Sequence, residues 1–118
     1  KTISALTTPN QALAVAKMPT SVFNESELLG RFSLVLDEVK VPGNLGTLIR
    51  IADWFGINNI VCSIGSVDAF SPKVVQSSMG SVARVKVYYT ELAKLIPQLT
   101  LPVYGAFLNG ESIYKSKF

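Results

Sequence analysis

The strongest constraint on the fold is the stretch 35–56, VLDEVKVPGNLGTLIRIADWFG. The apolar run at 32–35 predicts a strand that is buried on both faces. Pro42 cannot donate to a strand ladder, so the strand must end before the Pro-Gly turn. A helix is predicted after the turn, because apolar residues recur there at helical spacing and Gly56 stands where a C-terminal glycine is expected. The chain therefore contains a strand, a tight turn and a helix, a junction at which α/β proteins commonly bind their ligands.

Two polar residues of this unit are candidates for a binding or catalytic site. Asn44 is predicted to be the helix N-cap, because its side-chain oxygen can accept from the free N–H groups of the first turn. At about 100° per residue, Arg50 falls opposite the apolar stripe of the predicted helix, beside Thr47 and Trp54. A helical arginine commonly faces only solvent. The nearby turn, the anion-favouring helix N-terminus and the exposed indole together favour a binding role for Arg50.

Composition excludes several kinds of chemistry. With 118 residues, 48% of them hydrophobic, the chain can build one compact domain. It contains no histidine and a single cysteine, which removes histidine-based nucleophile systems and thiolate zinc sites, so no metal is expected. The net charge of +3 is compatible with a nucleic-acid partner without requiring one. Short, interrupted apolar runs argue against a membrane span, and Cys62 in an apolar run suggests a reducing compartment, here the cytoplasm.

The remainder of the chain alternates between strand and helix patterns. Further strands are predicted at 60–64, 82–89 and 101–107, with helices at 72–79 and 91–96, the latter capped by Thr90. Before the first motif, the sequence predicts a linker at 1–11, a short β-like run at 12–16 and a helical turn at 24–27. The alternation predicts an α/β fold with a parallel sheet, right-handed crossovers and flanking helices.

Other nucleotide-binding motifs are incomplete in this chain. The turn at 43–46, GNLG, lacks the third glycine of G-x-G-x-x-G and has no G-K-[ST] sequence. Asp68 follows at about the twenty-residue distance of a ribose-binding acid, which is weak support without the glycines. Ser78 could donate to a phosphate or a ribose, although a serine at a helix end usually bonds to the backbone. A non-catalytic nucleotide-binding or RNA-binding α/β module therefore stays open as an alternative.

Three segments resemble the SpoU (TrmH-type) family of RNA ribose 2′-O-methyltransferases, which belongs to the knotted SPOUT class. LVLDEVKVPGNLGTLIRIADWFG resembles the first motif of that family, and SPKVVQSSMGSVARV resembles the segment that follows it. LTTPNQALAVAKMP resembles the linker to a small N-terminal substrate-binding domain. The resemblance implies that residues 1–30 are this linker plus a short strand. It also implies that residues 31–118 are part of a methyltransferase catalytic domain, the N-terminal part of an α/β knot.

The resemblance also implies roles for individual residues. Asn44 and Arg50 would lie at the target ribose and its phosphate, with Arg50 organising the phosphate and helping to activate the 2′-hydroxyl. A guanidinium suits this role, because it holds a phosphate bidentately and stabilises developing negative charge, but it does not itself act as a base. Ser78 and Gly80 would also contact the substrate.

The donor implied by the resemblance is S-adenosylmethionine, with Ala106, Phe107 and Leu108 forming one wall of its pocket. Family members continue with a second motif around Gly-Asn-Glu-x-x-Gly and a third around Ile-Pro…Ser-Leu-Asn, and neither motif occurs here. We therefore expect a fragment with an incomplete donor pocket that is inactive by itself. The parent protein is expected to methylate rRNA or tRNA and to form a homodimer.

Overall fold

The computed structural model describes residues 12, 14–20 and 22–115. The strands in this part of the chain are β1 (Leu34–Leu36), β2 (Asn59–Ser63) and β3 (Lys86–Thr90). The α-helices are α1 (Pro42–Trp54), α2 (Pro72–Ser78) and α3 (Leu92–Leu95). Four 3-10 turns lie at Glu25–Leu28, Ser81–Ala83, Ile96–Gln98 and Ile113–Lys115. None of the helices in the described ranges is long and apolar enough to cross a membrane. The linker predicted at 1–11 lies outside the described residues.

The sheet is parallel, in the order β1-β2-β3, which confirms the predicted α/β class. Leu36 lies opposite Cys62 across the first pair of strands, and Cys62 lies opposite Tyr89 across the second. Because β2 is central, its residues Ile60, Val61 and Cys62 are fully buried. This burial on both faces is what a continuous apolar run predicts for a parallel strand.

The hydrophobic core lies on both faces of the sheet. One cluster joins Ile60 and Cys62 to the apolar stripe of α1, including Leu45 and Ile49. The second cluster joins Val61 to α3 and to the turn Glu25–Leu28. The alternation follows from the period of two in a strand, and it places a layer of helices on each side of the sheet.

The helix α1 begins two residues before the predicted N-cap. Val41 is the extended N-cap residue, Pro42 occupies the first turn, and the side chain of Asn44 makes no cap hydrogen bond. The prediction for Asn44 was wrong because a proline favours the first helical position and holds the preceding residue extended. The predicted C-terminal glycine is confirmed, since Gly56 adopts a φ of +70° just past the helix.

Several other element boundaries differ from the sequence predictions. The first strand begins at Leu34, and both Phe32, at 72%, and Val35 are exposed, so the predicted burial of this strand on both faces was wrong. The predicted strand 82–89 begins only at Lys86, because positive φ angles at Met79 and Gly80 lead the chain into the turn Ser81–Ala83. Thr90 is the last residue of β3 and not a helix cap, and α3 passes into a 3-10 turn at Ile96–Gln98.

Two predicted strands are absent from the described residues. Residues 101–107 and the described part of 12–16 are non-regular and almost entirely exposed. Both predictions were wrong because an apolar run becomes a strand only when its backbone groups pair with a neighbouring strand. Neither run has such a neighbour in the described part of the chain, and Pro102 and Gly105 further disfavour regular pairing.

The helices α1 and α2 approach each other closely at Gly46. A Cβ atom on Gly46 would lie 2.8 Å from the Cβ of Ser77 and 2.9 Å from the backbone nitrogen of Ser78. The Ser77 hydroxyl also donates to the Pro42 carbonyl oxygen, at 3.4 Å. The space between the helices therefore excludes any side chain at position 46.

We expect Gly46→Ala to lower the free energy of unfolding by about 1–3 kcal/mol, because the added methyl group forces the two helices apart. Gly43→Ala is the matched control on the same helix, since a Cβ there meets no atom within 4 Å. This control is expected to be neutral or to stabilise by up to about 1 kcal/mol. Urea denaturation of both variants measures the difference, and equal stabilities would contradict close packing at Gly46.

Candidate active site

The loop that leads into α1 is held by the neighbouring loop after β2. The Glu38 N–H donates to the Ser63 hydroxyl at 2.8 Å, and the Val39 N–H donates to the Ser66 hydroxyl at 3.2 Å. The Val67 N–H donates in turn to the Val39 carbonyl oxygen at 2.9 Å. These bonds tie the β1–α1 loop to the β2–α2 loop at the carboxyl edge of the sheet, where α/β proteins bind ligands.

Backbone strain accompanies this connection. Glu38 has a φ of +47°, in the left-handed region that non-glycine residues rarely adopt. The hydrogen bond from its N–H to Ser63 helps to hold this conformation. No local pattern indicates this role of Ser63 and Ser66, since only the tertiary structure brings them within reach of positions 38 and 39.

Tyr89, in β3, fixes the β2–α2 loop from the other side. Its hydroxyl accepts from the Ala69 N–H and donates to the Val67 carbonyl oxygen, each at 2.7 Å. Burial raises the pKa of Tyr89 to about 12, so the phenol keeps its proton at neutral pH. Both loops at this edge are therefore anchored to the sheet.

Arg50 lies on the outer face of α1, beside Thr47 and Trp54, as predicted. It faces a groove of about 590 Å³, which we call the Arg50 groove. The polar lining of the groove comprises Thr47, Arg50 and Asp53 from α1, with Ser81 and Arg84 from the segment after α2. Its apolar lining includes Trp54, which is 85% exposed. The Arg50 side chain makes no ion pair or hydrogen bond with another described residue, so its guanidinium donors are available to a ligand.

A hydrogen-bonded cluster of Asp53, Ser81 and Arg84 forms one side of the Arg50 groove. The Asp53 carboxylate accepts from the Ser81 hydroxyl at 2.7 Å and from Arg84 Nε at 3.0 Å and Nη2 at 2.5 Å. The hydrogen bond from Arg84, with that from Ser81, lowers the pKa of Asp53, and the same carboxylate raises the pKa of Arg84. Sequence reasoning missed this cluster because its members are up to 31 residues apart.

The other residues predicted to contact the substrate occupy different positions. Asn44 is exposed in the first turn of α1 and does not line the Arg50 groove. Ser78 is fully buried, and its hydroxyl donates to the Val75 carbonyl oxygen at 2.9 Å. Gly80 is exposed at a φ of +88°, immediately before Ser81. The structure thus brings Gly80 near the groove and turns the Ser78 hydroxyl toward the backbone; the substrate roles of all three stay predictions.

The residues predicted to wall the donor pocket do not enclose one. Ala106, Phe107 and Leu108 lie in the exposed non-regular segment, with Phe107 at 80% and Leu108 fully exposed. The Phe107 ring instead lies over Gly105. Residues 106–108 as placed therefore do not fit around S-adenosylmethionine, and their donor-binding role stays a prediction. The described residues also contain no group of three or more His, Cys, Asp or Glu side chains that could hold a metal ion.

The fold and the Arg50 groove define the class of protein. A parallel α/β sheet carries an unpaired arginine on the helix that follows a fixed strand-to-helix turn, an arrangement suited to a phosphate-bearing ligand. The chain belongs to the SpoU rRNA Methylase family, whose family model matches residues 31–118.

Individual relatives agree with this assignment. Over 111 residues, 92% of this chain, the sequence is 36% identical to the 23S rRNA (guanosine(2553)-2′-O)-methyltransferase RlmP of Bacillus subtilis. A putative RNA methyltransferase of the TrmH family from Porphyromonas gingivalis superposes with a TM-score of 0.66 at 38% identity over 97% of this chain. An AdoMet-bound rRNA methyltransferase from Sinorhizobium meliloti gives a TM-score of 0.54 at 37% identity over 58% of this chain. The chain spans 43%, 55% and 26% of these three proteins, respectively.

We expect Tyr89→Phe to lower the free energy of unfolding by about 1–3 kcal/mol, because the Ala69 N–H loses its acceptor. Hydrogen exchange at the Ala69 amide should accelerate in this variant. Tyr114→Phe is the matched control, since Tyr114 is 96% exposed, and it should change stability by less than about 0.5 kcal/mol. Unchanged exchange at Ala69 would show that the phenol does not anchor the loop.

Acid is expected to weaken the link between α1 and the segment after α2. The pKa of Asp53 is lowered in the folded state, so its contribution is present above the ordinary value of 3.8 and is lost as the pH falls through the folded-state pKa. Wild type should therefore lose stability more steeply than Asp53→Asn below about pH 4. Asp37→Asn, at a carboxylate with no partner among the described residues, is the control in denaturation at a series of pH values.

Proposed function

We propose that the protein transfers a methyl group from S-adenosylmethionine to a ribose 2′-hydroxyl of RNA, either rRNA or tRNA. Family membership supports this function, as do the 2′-O-methyltransferase name of the Bacillus subtilis relative and the AdoMet-bound state of the Sinorhizobium meliloti relative. The observation that carries the proposal is the unpaired Arg50 in its groove, on the helix of the first motif.

Arg50 would act on the phosphate next to the target ribose. Its planar guanidinium can donate two parallel hydrogen bonds to phosphate oxygens, which fixes the nucleotide as well as neutralising charge. A held phosphate places the adjacent 2′-oxygen in a defined position, and the cation stabilises negative charge that develops there as the proton leaves. Asn44, in the first turn of the same helix, is proposed to hydrogen-bond the ribose. The anchored loops keep this helix in place.

The methyl donor would be S-adenosylmethionine, which supplies an electrophilic methyl group when it is bound. Because residues 106–108 do not enclose a pocket in the structure, we propose that surfaces other than the described residues complete the donor site. A homodimer, which we also propose, is one source of such a surface. Trp54, Phe55 and Met79 are exposed apolar residues that line the Arg50 groove, and they support an interface that adjoins this groove. A cytoplasmic location is proposed from the single buried, reduced Cys62.

We expect Arg50→Ala in the complete protein to lower kcat/KM for RNA methylation by about 100-fold or more, because a donor to the reacting nucleotide is lost. Arg50→Lys should recover only part of this loss, since an ammonium group does not bind a phosphate bidentately. The measurement is the transfer of a radiolabelled methyl group from S-adenosylmethionine to RNA.

Lys94→Ala is the matched control for the loss of one positive charge. Lys94 is an exposed residue of α3 that pairs with Glu91 and does not line the Arg50 groove. Full turnover by Arg50→Ala would contradict the role of Arg50. RNA binding by a protein without any affinity for S-adenosylmethionine would favour the non-catalytic binding module instead.

A further inference from the structure

Arg50 has an obvious partner on its own helix that it does not use. Asp53 follows it by three residues, a spacing at which opposite charges on a helix commonly pair. Both side chains line the Arg50 groove. The Asp53 carboxylate is nevertheless bonded to Arg84, and Arg50 makes no ion pair among the described residues. Spacing along the helix therefore does not determine which arginine pairs with the Asp53 carboxylate.

The geometry of Arg84 explains the choice. Its Nε lies 3.0 Å from both carboxylate oxygens of Asp53, and its Nη2 lies 2.5 Å from Oδ2. Ser81 is buried, and its hydroxyl donates to the same Oδ2 at 2.7 Å. A guanidinium that binds a carboxylate through two N–H groups forms a stronger and more directional ion pair than one that makes a single hydrogen bond. Arg50 would have to displace three donors that the fold already holds at Oδ2 to reach that oxygen.

The backbone after α2 holds Arg84 in place. Ser81 begins the 3-10 turn that follows the left-handed Met79 and Gly80, and Arg84 ends it. The Arg84 N–H donates to the Ser81 carbonyl oxygen at 2.9 Å. The side chain of Arg84 is 62% exposed, whereas that of Asp53 is only 23% exposed. The carboxylate is thus fixed against the protein, and Arg84 reaches over it from the solvent side.

We propose that Arg84 is a positioning residue for Arg50. By occupying Asp53, it prevents an Arg50–Asp53 pair within α1 and keeps the Arg50 guanidinium available to a phosphate. Arg84 also cancels a negative charge that would otherwise repel that phosphate inside the groove. The assignment of the phosphate to RNA rests on the proposed function, but the choice of ion-pair partner does not.

The test is a set of four proteins: wild type, Arg84→Ala, Asp53→Asn and the double variant Asp53→Asn/Arg84→Ala. Each is titrated with a short oligouridylate over a range of salt concentrations, with binding followed by the fluorescence of Trp54, the single tryptophan of the chain. For Arg84→Ala we expect weaker binding and a salt slope reduced by about 0.7, the loss of one phosphate contact on a single strand. The double variant should recover both the affinity and the slope, and Asp53→Asn should bind at least as tightly as wild type.

Two outcomes of this titration would overturn the proposal. If the double variant stays as weak as Arg84→Ala, Arg84 itself contacts the RNA. If Arg84→Ala binds like wild type, the pair serves only to hold α1 against the segment after α2. Cooperative unfolding of each variant is checked first, and Arg84→Gln replaces the alanine variant if that variant fails to fold.

A distant ion pair provides the matched control. Lys86, in β3, pairs with Glu27 at 3.2 Å and does not line the Arg50 groove. Lys86→Ala and Glu27→Gln/Lys86→Ala repeat the charge changes of the test variants. We expect the double variant to bind the oligouridylate no more tightly than Lys86→Ala. A gain in affinity as large as that in the test series would mean that net charge alone explains the result.

A second readout needs no RNA. The Nε–Hε signal of Arg50 in a proton–nitrogen NMR spectrum should exchange rapidly with water in wild type. In Arg84→Ala it should become protected, because Asp53 then pairs with Arg50, and in the double variant it should become unprotected again. Identical Arg50 signals in wild type and Arg84→Ala would overturn the proposal. If wild type binds no oligouridylate and no protein of the series methylates RNA, the proposed function fails, and the NMR comparison still decides the role of Arg84.

Discussion

The close approach of α1 to α2 at Gly46 is the constraint on which the site depends. Because a side chain at position 46 would collide with Ser77 and the backbone of Ser78, the two helices pack at a distance that only glycine permits. That packing brings the segment after α2 alongside the outer face of α1. The Arg50 groove exists only because Ser81 and Arg84 arrive at this position. The packing contact at Gly46 thereby determines which side chains lie beside Arg50 on the outer face of α1.

The carboxyl edge of the sheet contributes a second level of order. Ser63 and Ser66 hold the strained loop that leads into α1, and Tyr89 holds the loop that carries Ser66. Each bond satisfies a backbone group that would otherwise stay unpaired near the site. The start of α1 is consequently fixed from below by the sheet and from the side by α2. A helix fixed in this way can present one arginine in a defined direction, which is what preorganised binding of a phosphate requires.

Sequence reasoning recovered the parts of this fold that rest on local patterns. The strand predicted at 60–64, the helix that carries Arg50, the glycine that ends this helix and the outward face of Arg50 all follow from periodicity and turn chemistry. It was wrong where a neighbour decides the outcome. The apolar run 101–107 has no strand beside it in the described residues, so it does not pair. The error at Asn44 has a local cause, since Pro42 occupies the first turn of α1 and makes Val41 the N-cap.

The sequence by itself determined the class of the domain, its family motif and the outward orientation of Arg50, because these depend on spacing along one helix and one strand. Only the tertiary structure decided that Asp53 pairs with Arg84 and not with Arg50. Spacing along α1 favours an Arg50–Asp53 pair, but the partner that Asp53 binds is Arg84, 31 positions away. The reason is physical: an ion pair forms with the partner whose geometry the surrounding fold has already fixed, and that fold is set by packing between distant segments.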